Sequence, residues 1–129
     1  MINMAHKEIK TDLAPKAIGP YSQAIDLGDL VFVSGQIPLD PETMEVVGTT
    51  IEEQTTQVMK NLEAILKEAN LTFTNAVKFT IYLTDLADFE QLNRIYSGFL
   101  SSPYPARATV EVCKLPKGVK LEMDLIARR

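Results

Sequence analysis

Arg107 is the residue of this sequence best placed to carry chemistry. It lies in the stretch YPARATVEV (104–112), two residues after Pro105. Proline cannot donate to a central strand ladder, so strand pairing should begin after it and Arg107 should lie at the mouth of a strand, where sites collect. A guanidinium holds a carboxylate through two parallel hydrogen bonds, which a lysine cannot do. Arg107 is therefore either a clamp for an anionic ligand or half of an internal ion pair.

Glu122 and Asp124 are the candidate partners for an internal ion pair. Both lie on the next strand-like segment, residues 120–128, and they share one strand parity. Either carboxylate is therefore expected to be able to face the same cleft as Arg107. Parity alone leaves the ion pair and the ligand clamp open.

Other candidate catalytic groups are scarce. The single histidine, His6, has no cysteine or second histidine at ligand spacing, so it is interpreted as a structural or surface residue and no metal site is predicted. Ser34, in VSGQ, has no histidine to activate it, which argues against a hydrolase triad. Cys113 has only Lys114 beside it as an activating charge and is interpreted as an inert thiol.

The composition predicts one soluble domain over residues 1–129. The chain is 46% hydrophobic, which is enough for a core at this length, and one cysteine indicates a reducing compartment. No apolar segment approaches the ~18 residues of a membrane span, and the N-terminus has no secretory pattern, so a cytoplasmic protein is expected. A net charge of −4 makes nucleic acid an unlikely partner.

Two helices are indicated by apolar residues at helical spacing. The first runs through TIEEQTTQVMKNLEAILKEAN, where Thr50 and Glu53 have the spacing of a capping box and Asn70 suits the end. The second runs through DLADFEQLNRIYSGFL, behind Asp85 or Asp88 as the N-cap.

Strand-like segments surround these helices. NAVKFTIYLTD alternates apolar and polar residues and so predicts one apolar face, formed by Val77, Phe79, Ile81 and Leu83. Residues 30–33, LVFV, are apolar at both parities, as in a strand buried on both sides, and residues 21–27 are the predicted hairpin partner. Residues 108–113 and 120–128 complete the order strands, helix, strand, helix, strands.

Two helices side by side, about 10 Å apart, cover one face of a sheet whose strands are about 4.8 Å apart. The other face should carry the strand residues of opposite parity, which form a mixed set: Thr80, Tyr82, Thr109, Glu111, Glu122, Asp124 and Ile126. That face is either solvated or an interface with further copies of the chain, and periodicity favours neither.

Several motifs, in order, resemble the reactive intermediate deaminase A (RidA) family, formerly called YjgF or L-PSP. They are GPYSQA (19–24), VSGQIPLDP (33–41), the Asn93 of LNRIY, PARATVEV and LPKGVKLEMDLIA, and they span essentially the whole chain. The resemblance implies a chorismate-mutase-like α/β (α+β) fold, a mixed sheet of about six strands with two helices on one face. It also implies a homotrimer with clefts at the subunit interfaces.

The activity implied by the resemblance is hydrolysis of the enamines and imines that pyridoxal-phosphate-dependent serine and threonine dehydratases release. The products would be 2-oxo acids and ammonia, and neither cofactor nor metal would be used. By position, Arg107 would grip the substrate carboxylate and Glu122 would position or activate the attacking water. The remaining substrate-binding positions would be Tyr21, Ser34, Gly35, Asn93 and Thr109.

Thr109 departs from the family pattern, because many members that this chain resembles carry cysteine there. Cys113 cannot replace that thiol, since six residues of strand would place it about 20 Å from Arg107. We therefore expect activity that does not depend on a thiol.

Two rival functions stay open. A non-enzymatic regulatory or chaperone-like protein could use the same carboxylate pocket without turnover. A ribonuclease that inhibits translation is the other, and the acidic balance and the lack of a suitable histidine weigh against it.

Overall fold

The computed structural model describes residues 6–129, which form a six-stranded mixed sheet and two helices. The strands are β1 (Lys7–Ile9), β2 (Ala24–Asp26), β3 (Leu30–Gln36), β4 (Ala76–Leu83), β5 (Ala106–Glu111) and β6 (Leu121–Arg128); the helices are α1 (Ile51–Glu68) and α2 (Phe89–Gly98). The spatial order is β1-β2-β3-β6-β4-β5, antiparallel except for the parallel pair β4 and β5. The predicted architecture is confirmed.

Helix α1 begins and ends as its sequence predicts. The Thr50 hydroxyl accepts a hydrogen bond from the Glu53 N–H, and the Glu53 carboxylate accepts one from the Thr50 N–H, both at 3.2 Å. At the other end Asn70 adopts a left-handed conformation, with φ of 61°. Its N–H donates to the Lys67 carbonyl and the Leu71 N–H to the Leu66 carbonyl, which satisfies carbonyls that the helix leaves free.

Helix α2 follows a short 3-10 turn, Leu86–Asp88, that Asp85 caps. The Asp85 carboxylate accepts a hydrogen bond from the Ala87 N–H at 2.9 Å, whereas Asp88 makes no side-chain cap. Asp88 therefore occupies the N-cap position of α2 without a side-chain hydrogen bond, and Asp85 caps the 3-10 turn before the helix. Since α2 connects the parallel strands β4 and β5, it must cross over the sheet, and this crossover brings it next to the start of β5.

The hydrophobic core lies between the two helices and the sheet face that they cover. Its largest fully buried side chains come from both helices and the central strands: Met59, Leu62, Ile65, Leu66, Phe79, Ile81, Leu83, Leu92, Leu121, Met123 and Leu125. Phe79 and Tyr96 join β4 to α2 edge-on, with ring centroids 5.1 Å apart. Within residues 6–129, no helix is both long enough and apolar enough to cross a membrane.

Two details of strand burial differ from the prediction. In β4 the register shifts between Ala76 and Lys78, so Ala76 packs in the core and Val77 is exposed; the prediction of Val77 on the apolar face is wrong. In β3, Val31 and Val33 are buried, but Phe32 lies on the uncovered face and is 41% exposed. The prediction that β3 is buried on both sides is therefore wrong for the single chain.

The sheet order also separates two strands that the sequence analysis treated as neighbours. β6 pairs with β3 and β4, and β5 pairs only with β4, so β4 lies between β5 and β6. The 3-10 turn at Pro116–Gly118 carries the chain back past β4 rather than closing a hairpin. This order decides which candidate residues can meet within one chain.

Candidate functional site

Arg107 is held in a fixed orientation at the start of β5, which begins directly after Pro105 as expected. Its NH1 group donates a hydrogen bond of 2.6 Å to the Asn93 side-chain oxygen. The guanidinium carbon lies 5.2 Å from the centre of the Phe89 ring and 5.1 Å from that of Tyr96. Both distances are within the range of cation–π attraction. The side chain is thus positioned by α2 from three sides.

Helix α2 can do this because Phe89, Asn93 and Tyr96 stand at i, i+4 and i+7 and so share one helix face. In the sequence, Phe89 and Tyr96 are apolar positions of the helical repeat, and neither residue by itself predicts a site. Their spacing around Asn93 is the feature of the sequence that could have predicted their contact with a charged side chain such as Arg107.

Within residues 6–129, Arg107 has no ion-pair partner. Among residues 6–129 the one salt bridge joins Arg129 to Asp26, at 2.5 Å, far from this position in the sheet. The internal bridge from Arg107 to Glu122 or Asp124, one of the two alternatives left open, is therefore wrong. The positive charge remains available to a ligand.

Thr109 lies on the same face as Arg107, two residues further along β5 and aligned with the buried Ile81. The prediction that it belongs to the uncovered face is wrong, and so is that of Glu111, which aligns with the buried Leu83. The Thr109 hydroxyl is buried and makes no hydrogen bond to any of the described residues. Buried polar atoms without partners are rare in folded proteins, so this one marks a position where a partner is missing.

Beside Arg107, Tyr96 presents a second buried hydroxyl that has no hydrogen-bond partner in the part of the chain that the structure describes. Burial raises the pKa of Tyr96, and the charge of Arg107 opposes that shift only in part. The phenol therefore stays protonated at neutral pH and can donate a hydrogen bond to an anion.

Glu122 lies on the opposite face of the sheet from Arg107. The cross-strand register aligns Arg107 with Phe79 and Leu125, which are buried under the helices. Glu122 has the other parity on β6 and lies on the face that the helices leave uncovered. The expectation that Glu122 or Asp124 could face the same cleft as Arg107 is therefore wrong within one chain.

Glu122 instead lines a pocket of about 390 Å³. The pocket brings together three predicted site residues, Tyr21, Gly35 and Glu122, with apolar and basic side chains that the sequence analysis did not assign to a site: Pro15, Lys16, Ile18, Ile37, Leu39, Pro116 and Lys117. Most of the candidate residues of this chain therefore fall into two groups. We call them the Arg107 group (Phe89, Asn93, Tyr96, Arg107 and Thr109) and the Glu122 pocket.

Gly35 is needed because the Glu122 carboxylate lies against its backbone. A Cβ atom at residue 35 would stand 3.0 Å from the carboxyl carbon of Glu122 and still closer to one of its oxygens. Any side chain at this position would push the carboxylate aside. Gly35 thus sets where Glu122 points, and its place next to a ligand stays a prediction.

The uncovered face makes Glu122 easier to protonate than an ordinary glutamate. Burial raises the pKa of Glu122, and the nearby Asp124 raises it further. Burial also raises the pKa of Asp124, while a hydrogen bond of 3.4 Å from the Tyr82 hydroxyl acts in the opposite direction. A carboxylate whose pKa moves toward neutral is a better general base at physiological pH.

The other candidate residues lie outside both groups. The Ser34 hydroxyl donates to the Ser22 carbonyl at 2.6 Å and so ties β3 to the loop before β2; it does not line the Glu122 pocket. Cys113 is exposed just beyond the end of β5, and His6 is exposed before β1.

Comparison with known proteins identifies the class to which this fold and these residues belong. The family model described as Endoribonuclease L-PSP matches residues 11–129. The chain belongs to this family, which is the RidA family predicted from the sequence motifs.

Individual relatives are similar over nearly the whole chain. A RutC family protein of Pyrococcus abyssi is 52% identical, covering 96% of this chain and 98% of its own. The 2-iminobutanoate/2-iminopropanoate deaminase of Homo sapiens is 42% identical, covering 98% and 93%. The crystal structure of E. coli TdcF with bound serine matches with a TM-score of 0.91 and 43% identity, covering 95% of this chain and 98% of TdcF.

Proposed function

We propose that this protein hydrolyses small 2-imino acids and their enamine tautomers to 2-oxo acids and ammonia, without a cofactor. The observation that carries the proposal is the state of Arg107. Its guanidinium is oriented by Asn93 and two aromatic rings, is half-buried, and has no carboxylate partner among residues 6–129. A 2-imino acid supplies a carboxylate next to the reacting carbon, so gripping it would fix that carbon in place.

Glu122 is the proposed base. A protonated C=N bond is already electrophilic, so water can attack its carbon once a base accepts a proton from the water. The carbinolamine formed in this way expels ammonia and leaves the 2-oxo acid. One oriented carboxylate with a raised pKa suits this task, because it can accept the proton and return it to the leaving nitrogen.

A site that uses both side chains must combine two copies of the chain, since Arg107 and Glu122 lie on opposite faces of the sheet. We infer that the uncovered face forms the interface, as a homotrimer with sites between subunits. Its exposed apolar residues support this inference: Phe32 is 41% and Val110 44% exposed. Both lie on the same sheet face as Glu122.

The relatives support the same chemistry. The human relative is named for deamination of 2-imino acids, and serine bound to TdcF carries the amino and carboxylate groups of an amino acid on one carbon. RNA cleavage, which the family description names, is less well supported here. The chain carries a net charge of −4, and its single histidine, His6, lies in neither group of site residues.

The test is to add the protein to a serine or threonine dehydratase reaction and to follow the rate of 2-oxo acid release. We expect acceleration by the native protein and none by Arg107→Ala, with the oligomer unchanged in both. The exposed Arg128 offers a matched control, Arg128→Ala, which should accelerate release like the native protein. Unchanged activity in Arg107→Ala would refute the clamp, and no acceleration by the native protein would refute the activity.

A further inference from the structure

We propose that the Glu122 pocket prefers substrates with a second anionic group, which Lys16 and Lys117 bind. The inference rests on the proposed function, because it names the class of 2-imino acid that this site favours: a diacid whose side chain ends in a carboxylate. Both lysines line the pocket beside Glu122.

The Glu122 pocket is larger than a small imino acid needs. At about 390 Å³ the pocket falls within the range of roughly 300–1,000 Å³ that is typical of sites for drug-sized ligands. A three-carbon or four-carbon imino acid leaves much of that space to water. A longer side chain, ending near the pocket rim, would use it.

The charged residues that line the Glu122 pocket favour an anion. Lys16 and Lys117 bring two positive charges to a pocket whose one acidic lining residue is Glu122. Neither lysine has a carboxylate within salt-bridge distance among residues 6–129. The chain as a whole carries a net charge of −4, so this local excess of positive charge runs against the overall balance.

The backbone of Lys117 has an unusual conformation for a lysine. It adopts a left-handed conformation with φ of 58°, between Pro116 and a Gly118 with φ of 68°. Lysine is not among the residues that favour this conformation, for which glycine, asparagine and aspartate are better suited. An unusual backbone conformation of this kind at a pocket wall points to a functional side chain.

Together these features divide the recognition of a diacid. Arg107 of one copy would hold the carboxylate next to the imine, and Lys16 and Lys117 of the next copy would hold the distal carboxylate. Dehydration of serine or threonine yields only monocarboxylic imines. Oxidation of an acidic amino acid at its α-carbon yields a 2-imino diacid, so an amino-acid oxidising enzyme is one class of reaction that would supply it.

The experiment compares binding of two stable product-like acids, 2-oxoglutarate and 2-oxobutanoate, by calorimetry or by NMR titration of the full-length protein. We expect the native protein to bind the diacid roughly tenfold more tightly. The double variant Lys16→Gln/Lys117→Gln should lose most of this preference. Lys114→Gln, which changes an exposed lysine of the same loop outside the pocket, should keep it.

Equal binding of the two acids by the native protein would overturn the inference. So would an equal loss of preference in Lys114→Gln, because that result would assign the effect to general surface charge. The dehydratase assay separates the two proposals. Acceleration without a diacid preference refutes this inference alone, whereas a lysine-dependent diacid preference without any turnover supports it and refutes the proposed activity.

Discussion

Arg107 and Glu122 lie on opposite faces of the same sheet, on strands that β4 separates. In-register partners share a face, and Arg107 aligns with the buried Phe79, whereas Glu122 aligns with Tyr82 on the uncovered face. No rotamer can carry either side chain through the sheet. If both serve one reaction, the arginine of one copy must meet the glutamate of another.

This relationship predicts that two inactive variants restore activity when mixed. Arg107→Ala and Glu122→Gln should each be inactive alone. After the two are unfolded and refolded together in equal amounts, about one site in four combines a native Arg107 with a native Glu122 from different copies. We expect about a quarter of the native rate in the dehydratase assay. A mixture refolded separately and then combined is the control, and it should stay inactive if subunits exchange slowly. No recovery after joint refolding would contradict a shared site.

Glu122 should set the lower pH limit of activity. The base must be ionised, so kcat/KM should fall as the pH drops through the pKa of Glu122. Burial and Asp124 raise this pKa above the usual value for glutamate, and the Arg107 guanidinium of the next copy would oppose part of that shift. Replacing the neighbouring charge, in Asp124→Asn, removes one cause of the shift and should move this limb to lower pH. In Glu122→Gln we expect kcat to drop about 100-fold or more and the limb to vanish. The pH profiles of kcat/KM for the three proteins measure this.

The raised pKa of Glu122 also predicts that stability falls with rising pH, whereas activity rises. A raised carboxyl pKa means that the folded state binds more protons than the unfolded state between the two pKa values, so stability falls as the pH rises through that window. Glu122→Gln should therefore unfold at a higher denaturant concentration than the native protein at pH 7, with the gap closing at acid pH. If Glu122→Gln is less stable than the native protein at pH 7, the pKa of Glu122 is not raised in the folded state.

The order and type of the elements could be predicted from the sequence because local signals set them. Thr50 and Glu53 cap α1, Asn70 ends it, and Pro105 delays the start of β5. The order of strands in the sheet could not, since pairing over long separations leaves no local mark. Without it, strand parity suggested that Arg107 and Glu122 share a cleft. The motif resemblance correctly implied the family. The homotrimer that it also implies stays a prediction, and its interfaces between copies would bring the two residues together.

The site could be predicted only where a residue type is unusual for its position. Arg107, two residues after a proline, was conspicuous, but Phe89 and Tyr96 were not, because aromatic residues at helical spacing usually belong to the core. Lys16 and Lys117 were missed for the same reason, since most lysines are simply solvated. Only the folded chain shows that these common residues surround a charge or a cavity.

Gly35→Ala should damage activity through Glu122. The new Cβ would displace the carboxylate, and a misplacement of about 1 Å at a reacting group costs roughly 100-fold in rate. The matched control is Gly98→Ala, because among residues 6–129 a Cβ added there would have no atom within 4 Å apart from its chain neighbours and the backbone of its own helix. This change in α2 should leave the rate intact and add up to about 1 kcal/mol of stability. Equal activity of the two variants would show that the position of Glu122 does not matter.

Thr109→Val separates a binding role from a structural one. The Thr109 hydroxyl is buried without a partner, so replacing it with a methyl group should change the free energy of unfolding by less than about 1 kcal/mol. If the hydroxyl binds substrate, KM should rise roughly fivefold while kcat holds, because one neutral hydrogen bond is lost. An unchanged KM in Thr109→Val would remove Thr109 from the substrate-binding residues.

Alkylation of the exposed Cys113 should alter neither kcat nor KM, since no thiol takes part in the proposed reaction. An alkylated protein without turnover would contradict the mechanism.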